Sequence, residues 1–195
     1  MTSPAHQLAT SDDLVALPGD PKAEVVGGVV VEKASPSAEH SLAQGALYSF
    51  VFRRFHGGGG GDAGSPGGWW ILLEVEVEME THEIYRPDLV GWRRDRVPER
   101  PRGRPVRTRP DWICEVLSPS NARTDLVTKF RVLHRCGVPH YCITDPEREV
   151  LVVYRWEQAG YLAVLTTERG DTVRAEPFDA VELPVGTLFG DEPLP

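Results

Sequence analysis

The 195-residue chain is poor in cysteine and lysine, and none of its apolar runs approaches the roughly 20 residues needed to span a bilayer. Its three cysteines, Cys114, Cys136 and Cys142, are an odd number with no CxxC pair. That argues against both a disulfide framework and a zinc ribbon. Cys136, His140 and Cys142 can be pictured as metal ligands, but they read better as small packing residues at a helix end and in a strand. The opening MTSPAHQLATSDDL has no basic stretch followed by an apolar one. No signal peptide is expected, and the expected setting is the cytoplasm, away from membranes. Only Lys22, Lys33 and Lys129 are lysines. Where a plain cation suffices the chain uses arginine, so a lysine in its middle asks for a reason.

Hydrophobic residues make up 41% and charged residues 26% of the chain, an ordinary globular composition with enough apolar surface for a core. The net charge of −8 argues against a general nucleic-acid coat protein. The charge is uneven, however. Residues 93–109 (RRDRVPERPRGRPVRTR) hold eight arginines against Asp95 and Glu99, an excess of six positive charges on an acidic body. Such a segment is either a phosphate-contacting loop or a solvated, proline-broken one.

No internal repeat is present. The expected organisation is a lead-in over 1–21, one domain over 22–190 and a short proline-rich tail over 191–195. A short helix is expected near Ser11–Leu17. AEVVGGVVVEK (23–33) reads as a hairpin turning at Gly27-Gly28. Ser35–Ser37 caps a helix over about 38–55, with Leu42, Ala46, Leu47, Phe50 and Val51 at helical spacing. The glycine run 57–61 lacks the lysine of a phosphate loop and reads as a linker. WWILLEVEVEME (69–80) predicts one strand, and Tyr85–Trp92 another, entered through Arg86-Pro87. WICEVL (112–117) is a nearly continuous apolar run, expected as a central strand buried on both faces. A helix follows over about 122–135, stopped at Gly137. A strand over 140–144 and a hairpin of 150–156 with 161–167 complete the pattern. The order predicts a mixed α/β or α+β sheet flanked by helices, with a right-handed crossover through the second main helix.

Glu115 is the most informative residue. A carboxylate inside WICEVL is costly to bury unless it is paired or binds a cation. Its place near the C-terminal end of a core strand is where open α/β sheets hold ligands. A structural carboxylate held by an arginine is the other reading. Asp88 sits at a strand start within RPDLV, either as a strand cap or facing Glu115 across neighbouring strands. Two such oxygen donors, with water and a substrate phosphate, suit Mg²⁺ or Mn²⁺. Lys129 lies two turns into the following helix. It either pairs with Asp125 four residues earlier or reaches across to the carboxylates to steady a water or a charged transition state.

The segments RPDLVGW (86–92), PDWICEVLSPSNARTDLVTKF (110–130) and GVPHYCITDPEREVLVVYR (137–155) resemble the Uma-type "putative restriction endonuclease" family, with AEVVGGVVVEKASPSAEHSL (23–42) similar to its N-terminal part. That family is similar to PD-(D/E)XK nucleases. The resemblance implies a restriction-endonuclease-like fold, with Asp88 and Glu115 as catalytic and metal-holding carboxylates and the backbone carbonyl of Val116 as a further ligand. The motif lysine belongs two residues after Glu115, where Leu117 stands, so Lys129 on the next helix takes that role. An aromatic expected four residues after the lysine is Leu133, and a tryptophan expected after Tyr141 is Cys142. His40 matches the family's helix histidine, as a phosphate contact or a capping residue. The expected activity is metal-dependent hydrolysis of nucleic acid, DNA first, with Arg93, Arg94, Arg102 and Arg104 on the backbone and a homodimer as a plausible assembly. A non-catalytic binding or scaffold protein on the same fold is the alternative.

Overall fold

A computed structural model of the chain describes residues 7–19, 21–57 and 66–192. The first six residues of the lead-in, most of the glycine run and the last three residues of the tail lie outside the described residues. Helix α1 (Ser11–Val15) buries Leu14 against strand β1 (Ala23–Val26). The lead-in is thus packed where it is described. Leu8 lies so close to Gly28 that a Cβ there would meet its side chain at 2.7 Å.

The Gly27-Gly28 turn joins β1 to β2 (Val29–Glu32), with φ +59° and +76° at the two glycines. Two residues in that left-handed region are what a tight hairpin turn asks for. Helix α2 (Ala38–Phe55) starts where the Ser37 hydroxyl accepts the His40 N–H at 3.2 Å. It buries His40, Ala43, Leu47, Val51 and Phe55. The buried stripe is offset from the expected one, and Leu42 faces outward at 49% exposure.

The two long strands expected over 69–80 and 85–92 are both broken. β3 (Trp69–Leu73) pairs with β6 (Leu89–Arg93), while β4 (Val77–Glu80) pairs with β5 (Glu83–Tyr85). They form one hairpin bent across two sheets. In one arm the bend falls at Glu74, whose φ is +47°; in the other it falls at Arg86-Pro87. A positive φ is uncommon for a residue with a Cβ and breaks the pleat. Glu76, expected on the solvent side, is buried because Arg104 reaches over to it at 2.8 Å.

One sheet is antiparallel, in the order β2-β1-β5-β4. The other adds β7 (Trp112–Val116), β8 (His140–Asp145), β9 (Val150–Glu157) and β10 (Gly160–Glu168), in the order β10-β9-β8-β7-β6-β3. β7 and β8 are parallel and the other pairs antiparallel. The fold is therefore a central mixed sheet flanked by a few helices. The crossover from β7 to β8 begins as a π-helix (Thr124–Lys129) and only then becomes α3 (Phe130–Arg135), where one α-helix was expected. Such wide turns tend to occur at functional sites.

Each face of the six-stranded sheet carries its own core. Leu89, Cys114 and Trp112 pack under α2; Val90, Ile113 and Tyr141 pack under α3. The C-terminal segment after the last hairpin, placed within the domain but given no element from sequence, completes the first core. It contains β11 (Thr172–Val173), β12 (Leu183–Pro184) and a 3₁₀ turn (Val185–Phe189). Phe178 sits among Phe55, Trp69 and Trp112, with ring centroids 4.7, 5.1 and 4.9 Å away. No helix among the described residues is long and apolar enough to cross a membrane.

Candidate functional site

β6 and β7 are antiparallel neighbours in which Leu89 lies opposite Cys114 and Val90 opposite Ile113. Extending that register by one step puts Asp88 opposite Glu115. The two residues are tied by backbone as well as by position. The Val116 N–H donates to Asp88 Oδ2 at 2.8 Å, and the Asp88 N–H donates to Glu115 Oε2 at 3.3 Å. Arg86-Pro87 keeps the chain extended into this position. Asp88 and Glu115 are 3% and 1% exposed.

Lys129 reaches the same cluster from the π-helix. Its Nζ is 2.8 Å from Glu115 Oε1, 2.9 Å from Glu24 Oε1 and 3.0 Å from Asp125 Oδ1. The intrahelical pair with Asp125 and the long reach to Glu115 therefore coexist. Glu24, on β1, also accepts the Arg86 N–H at 2.6 Å. Lys33, just beyond β2, puts its Nζ 2.9 Å from Asp88 Oδ1 and 3.9 Å from Glu115 Oε2. His40 Nε2 is 3.3 Å from Asp88 Oδ2, and its buried Nδ1 has no partner among the described residues. Gln44 donates to the Asp88 carbonyl at 3.2 Å and to Glu74 at 3.3 Å.

These surroundings drive the two carboxyl groups apart. Burial pushes Glu115 up to about 8, with Lys129 and Lys33 opposing and Asp125 and Asp88 adding to the rise. Burial acts on Asp88 too, but the His40 hydrogen bond, the Lys33 ammonium and the Val116 N–H outweigh it and hold Asp88 well below the usual carboxylate range. Burial likewise opposes charge on Lys129, yet Glu115, Glu24 and Asp125 raise its pKa well above that of a free lysine. Carboxyl groups with opposed pKa values are a mark of sites that handle protons or cations.

A model of the Uma2 family, described as "Putative restriction endonuclease", matches residues 11–186. The chain belongs to the Uma2 family. A crystal structure described as "a putative nuclease belonging to DUF820" from Anabaena variabilis ATCC 29413 has the same fold as this Uma2 chain, with a TM-score of 0.66. The match is 22% identical and covers 92% of this chain and 97% of that one. No curated protein matches the chain.

Of the residues singled out from sequence, Asp88, Glu115, Val116, Lys129 and His40 come together. The arginines are placed differently. Arg93 and Arg94 leave β6 at the end opposite Asp88, five residues and so roughly 16 Å along the strand. Arg93 pairs with Asp95 at 2.6 Å, and Arg94 lies over the Trp70 ring at 3.9 Å. Arg104 is held by Glu76, while Arg102 is exposed. Cys142 packs in the core under α2, and Cys136 lies against Glu80. Sequence reasoning missed Glu24 and Lys33. Glu24 carried a usable signal, a carboxylate within the apolar strand AEVV, the same logic that singled out Glu115.

Proposed function

We propose that this protein is a Mg²⁺- or Mn²⁺-dependent nuclease that hydrolyses phosphodiester bonds, with DNA as the first substrate to try. The observation that carries this reading is the charge of the buried cluster. Glu24, Asp88, Glu115 and Asp125 are four buried carboxyl groups faced by two ammonium groups, Lys33 and Lys129, and with those two cations alone Glu115 is pushed up to about 8. Ionising all four leaves the cluster two positive charges short, which one divalent cation would supply, and oxygen donors suit those metals. Among the described residues no group of three His, Cys, Asp or Glu side chains forms a ready metal cage. That is consistent with a site using two carboxylates, a backbone carbonyl, water and substrate oxygens. Asp88 and Glu115 would hold the ion, with the Val116 carbonyl beside them.

A divalent ion held there supplies Lewis acidity and lowers the pKa of a bound water. The chain's own residues have defined tasks. The Val116 N–H fixes Asp88, and Lys129 fixes the Glu115 carboxylate by charge and hydrogen bond. Glu24 and Asp125 in turn hold Lys129 in place. His40 stands beside Asp88 near a cleft lined by Ser35, Ser118 and Asn121, where a phosphate group could be received.

The test is cleavage of supercoiled plasmid and of single-stranded RNA with Mg²⁺, Mn²⁺ or EDTA. Nicking that needs the metal and vanishes in Asp88→Asn and Glu115→Gln, with both variants still folded, supports the reading. Cleavage that survives EDTA or Glu115→Gln removes it.

A further inference from the structure

The two lysines of the cluster differ in what their ammonium groups can still do. Lys129 donates to Glu24 and Glu115, has Asp125 Oδ1 beside it at 3.0 Å as an ion pair, and its side chain is 2% exposed. Nothing reaches it without dismantling the cluster. Lys33 follows β2, and its neighbours Glu32 and Ala34 are exposed. Its own side chain is 13% exposed and lines the cleft that also holds Ser35, His40 and Asn121. Its Nζ donates to the Arg86 carbonyl and to Asp88 Oδ1, each at 2.9 Å, with Glu115 Oε2 at 3.9 Å. A single ammonium group thus stands against both carboxylates that would hold the divalent ion.

The geometry points to Lys33 as a displaceable counter-ion, which occupies the cation position of the Asp88–Glu115 pair and must leave for a divalent metal to enter. This inference rests on the proposed reading of Asp88 and Glu115 as metal-holding residues. An ammonium and a divalent ion cannot share so small a space, because their charges repel at a few ångströms in a poorly screened site. Emptying the position altogether would leave Asp88 and Glu115 with no cation between them, since Lys129 touches only the Glu115 side. Lysine suits the exchange: it is a point charge on a flexible four-carbon stem, and here its open side faces the cleft. Once displaced, the ammonium stays at the cleft mouth, where an anionic substrate group would meet it.

Apparent metal affinity falls with the fraction of time the competitor is bound, so an ammonium present nine-tenths of the time lowers it about tenfold. The experiment is calorimetric titration of Mn²⁺ into the full chain and into Lys33→Met, Lys22→Met and Glu115→Gln, with thermal melts to show that each is folded. Lys22 lines the same cleft, pairs with Glu74 and is half exposed, so it controls for simple loss of a nearby charge.

Lys33→Met is expected to bind Mn²⁺ about tenfold tighter than wild type or better, with Lys22→Met close to wild type and Glu115→Gln silent. If Lys33→Met melts as an unfolded chain, Lys33→Gln, which keeps a donor for Asp88, takes its place. Equal or weaker binding by the Lys33 variant, with Glu115→Gln still silent, overturns the counter-ion role and leaves the metal site standing. An equal gain in Lys22→Met reduces the effect to general charge and also overturns it. Absence of binding in both wild type and the Lys33 variant overturns the metal reading, and this inference with it.

Discussion

Lys129 and Glu24 are 105 residues apart in the chain and meet at 2.9 Å with both side chains buried. The contact ties β1 to the π-helix, and through Glu115 and Asp88 to the middle of the larger sheet.

Lys129→Met leaves Glu24, Glu115 and Asp125 without their shared cation. Breaking a buried pair from one side costs about 3–5 kcal/mol, and urea unfolding should show a loss of that size. Glu24→Gln should cost well under half as much, since the amide oxygen still accepts from Lys129 and from the Arg86 N–H. A Lys129→Met protein as stable as wild type would show that the cluster does not carry this load.

The arginine loop can be separated into gripping and bracing residues. Arg102 is exposed, so if the loop holds phosphates, Arg102→Ala lowers the slope of log affinity against log salt by about one. Arg104 instead neutralises the buried Glu76. Arg104→Ala should lower the melting temperature. Fluorescence anisotropy with a labelled duplex, measured at several salt concentrations, reads the first effect. A slope unchanged in Arg102→Ala ends the gripping role for that residue.

Phe178 closes the core under α2 from a segment far along the chain. Phe178→Ala should cost about 3–5 kcal/mol, the usual range for emptying a buried aromatic site. A cost under 1 kcal/mol in denaturant unfolding would mean that the C-terminal segment only lies on the surface.

His56 gives a pH signature away from the carboxylates. Burial holds its pKa below 6.5. Its Nδ1 accepts the Ile71 N–H at 3.1 Å, a bond that a protonated Nδ1 could not accept. The folded state therefore binds fewer protons at this residue than the unfolded chain, and its contribution is complete above the unfolded value of about 6.5 and is lost as pH falls from there through the lower folded value. Comparing wild type with His56→Gln cancels the other titrating groups. The stability advantage of wild type should be larger at pH 7.5 than at pH 5.5, and a gap independent of pH would sink the assignment.

The cluster was legible in the sequence where a charge interrupts an apolar pattern. Glu115 in WICEVL and Asp88 in RPDLV declared themselves by the cost of burying a carboxylate. Lys129 stood out by the rarity of lysine. Lys33 did not, because it follows a strand with no buried residue, which gives the residue after it no inward side to belong to. The bends at Glu74 and Arg86-Pro87 were invisible for a related reason. Alternation reports a local period of two but not which sheet each half of a strand will join. Glu76 is buried by an arginine in a distant loop, and the C-terminal core residues Phe178, Leu183 and Leu188 follow no helical or strand spacing. Contacts of that kind are set by tertiary packing.

The bent hairpin of β3–β6 also has a mechanical consequence. Its two arms turn at the same level, and the Arg86 Nε donates to the Glu74 carbonyl at 2.8 Å, spanning the turn like a gusset in a folded plate. Asp88 lies one step beyond the crease, and Glu24 and Lys33 are carried by the smaller plate. The angle between the plates therefore sets how far the lysine-bearing edge stands from the carboxylate-bearing one. Site width becomes a property of the crease, adjustable at Arg86 or Glu74 without altering any group that would hold a metal.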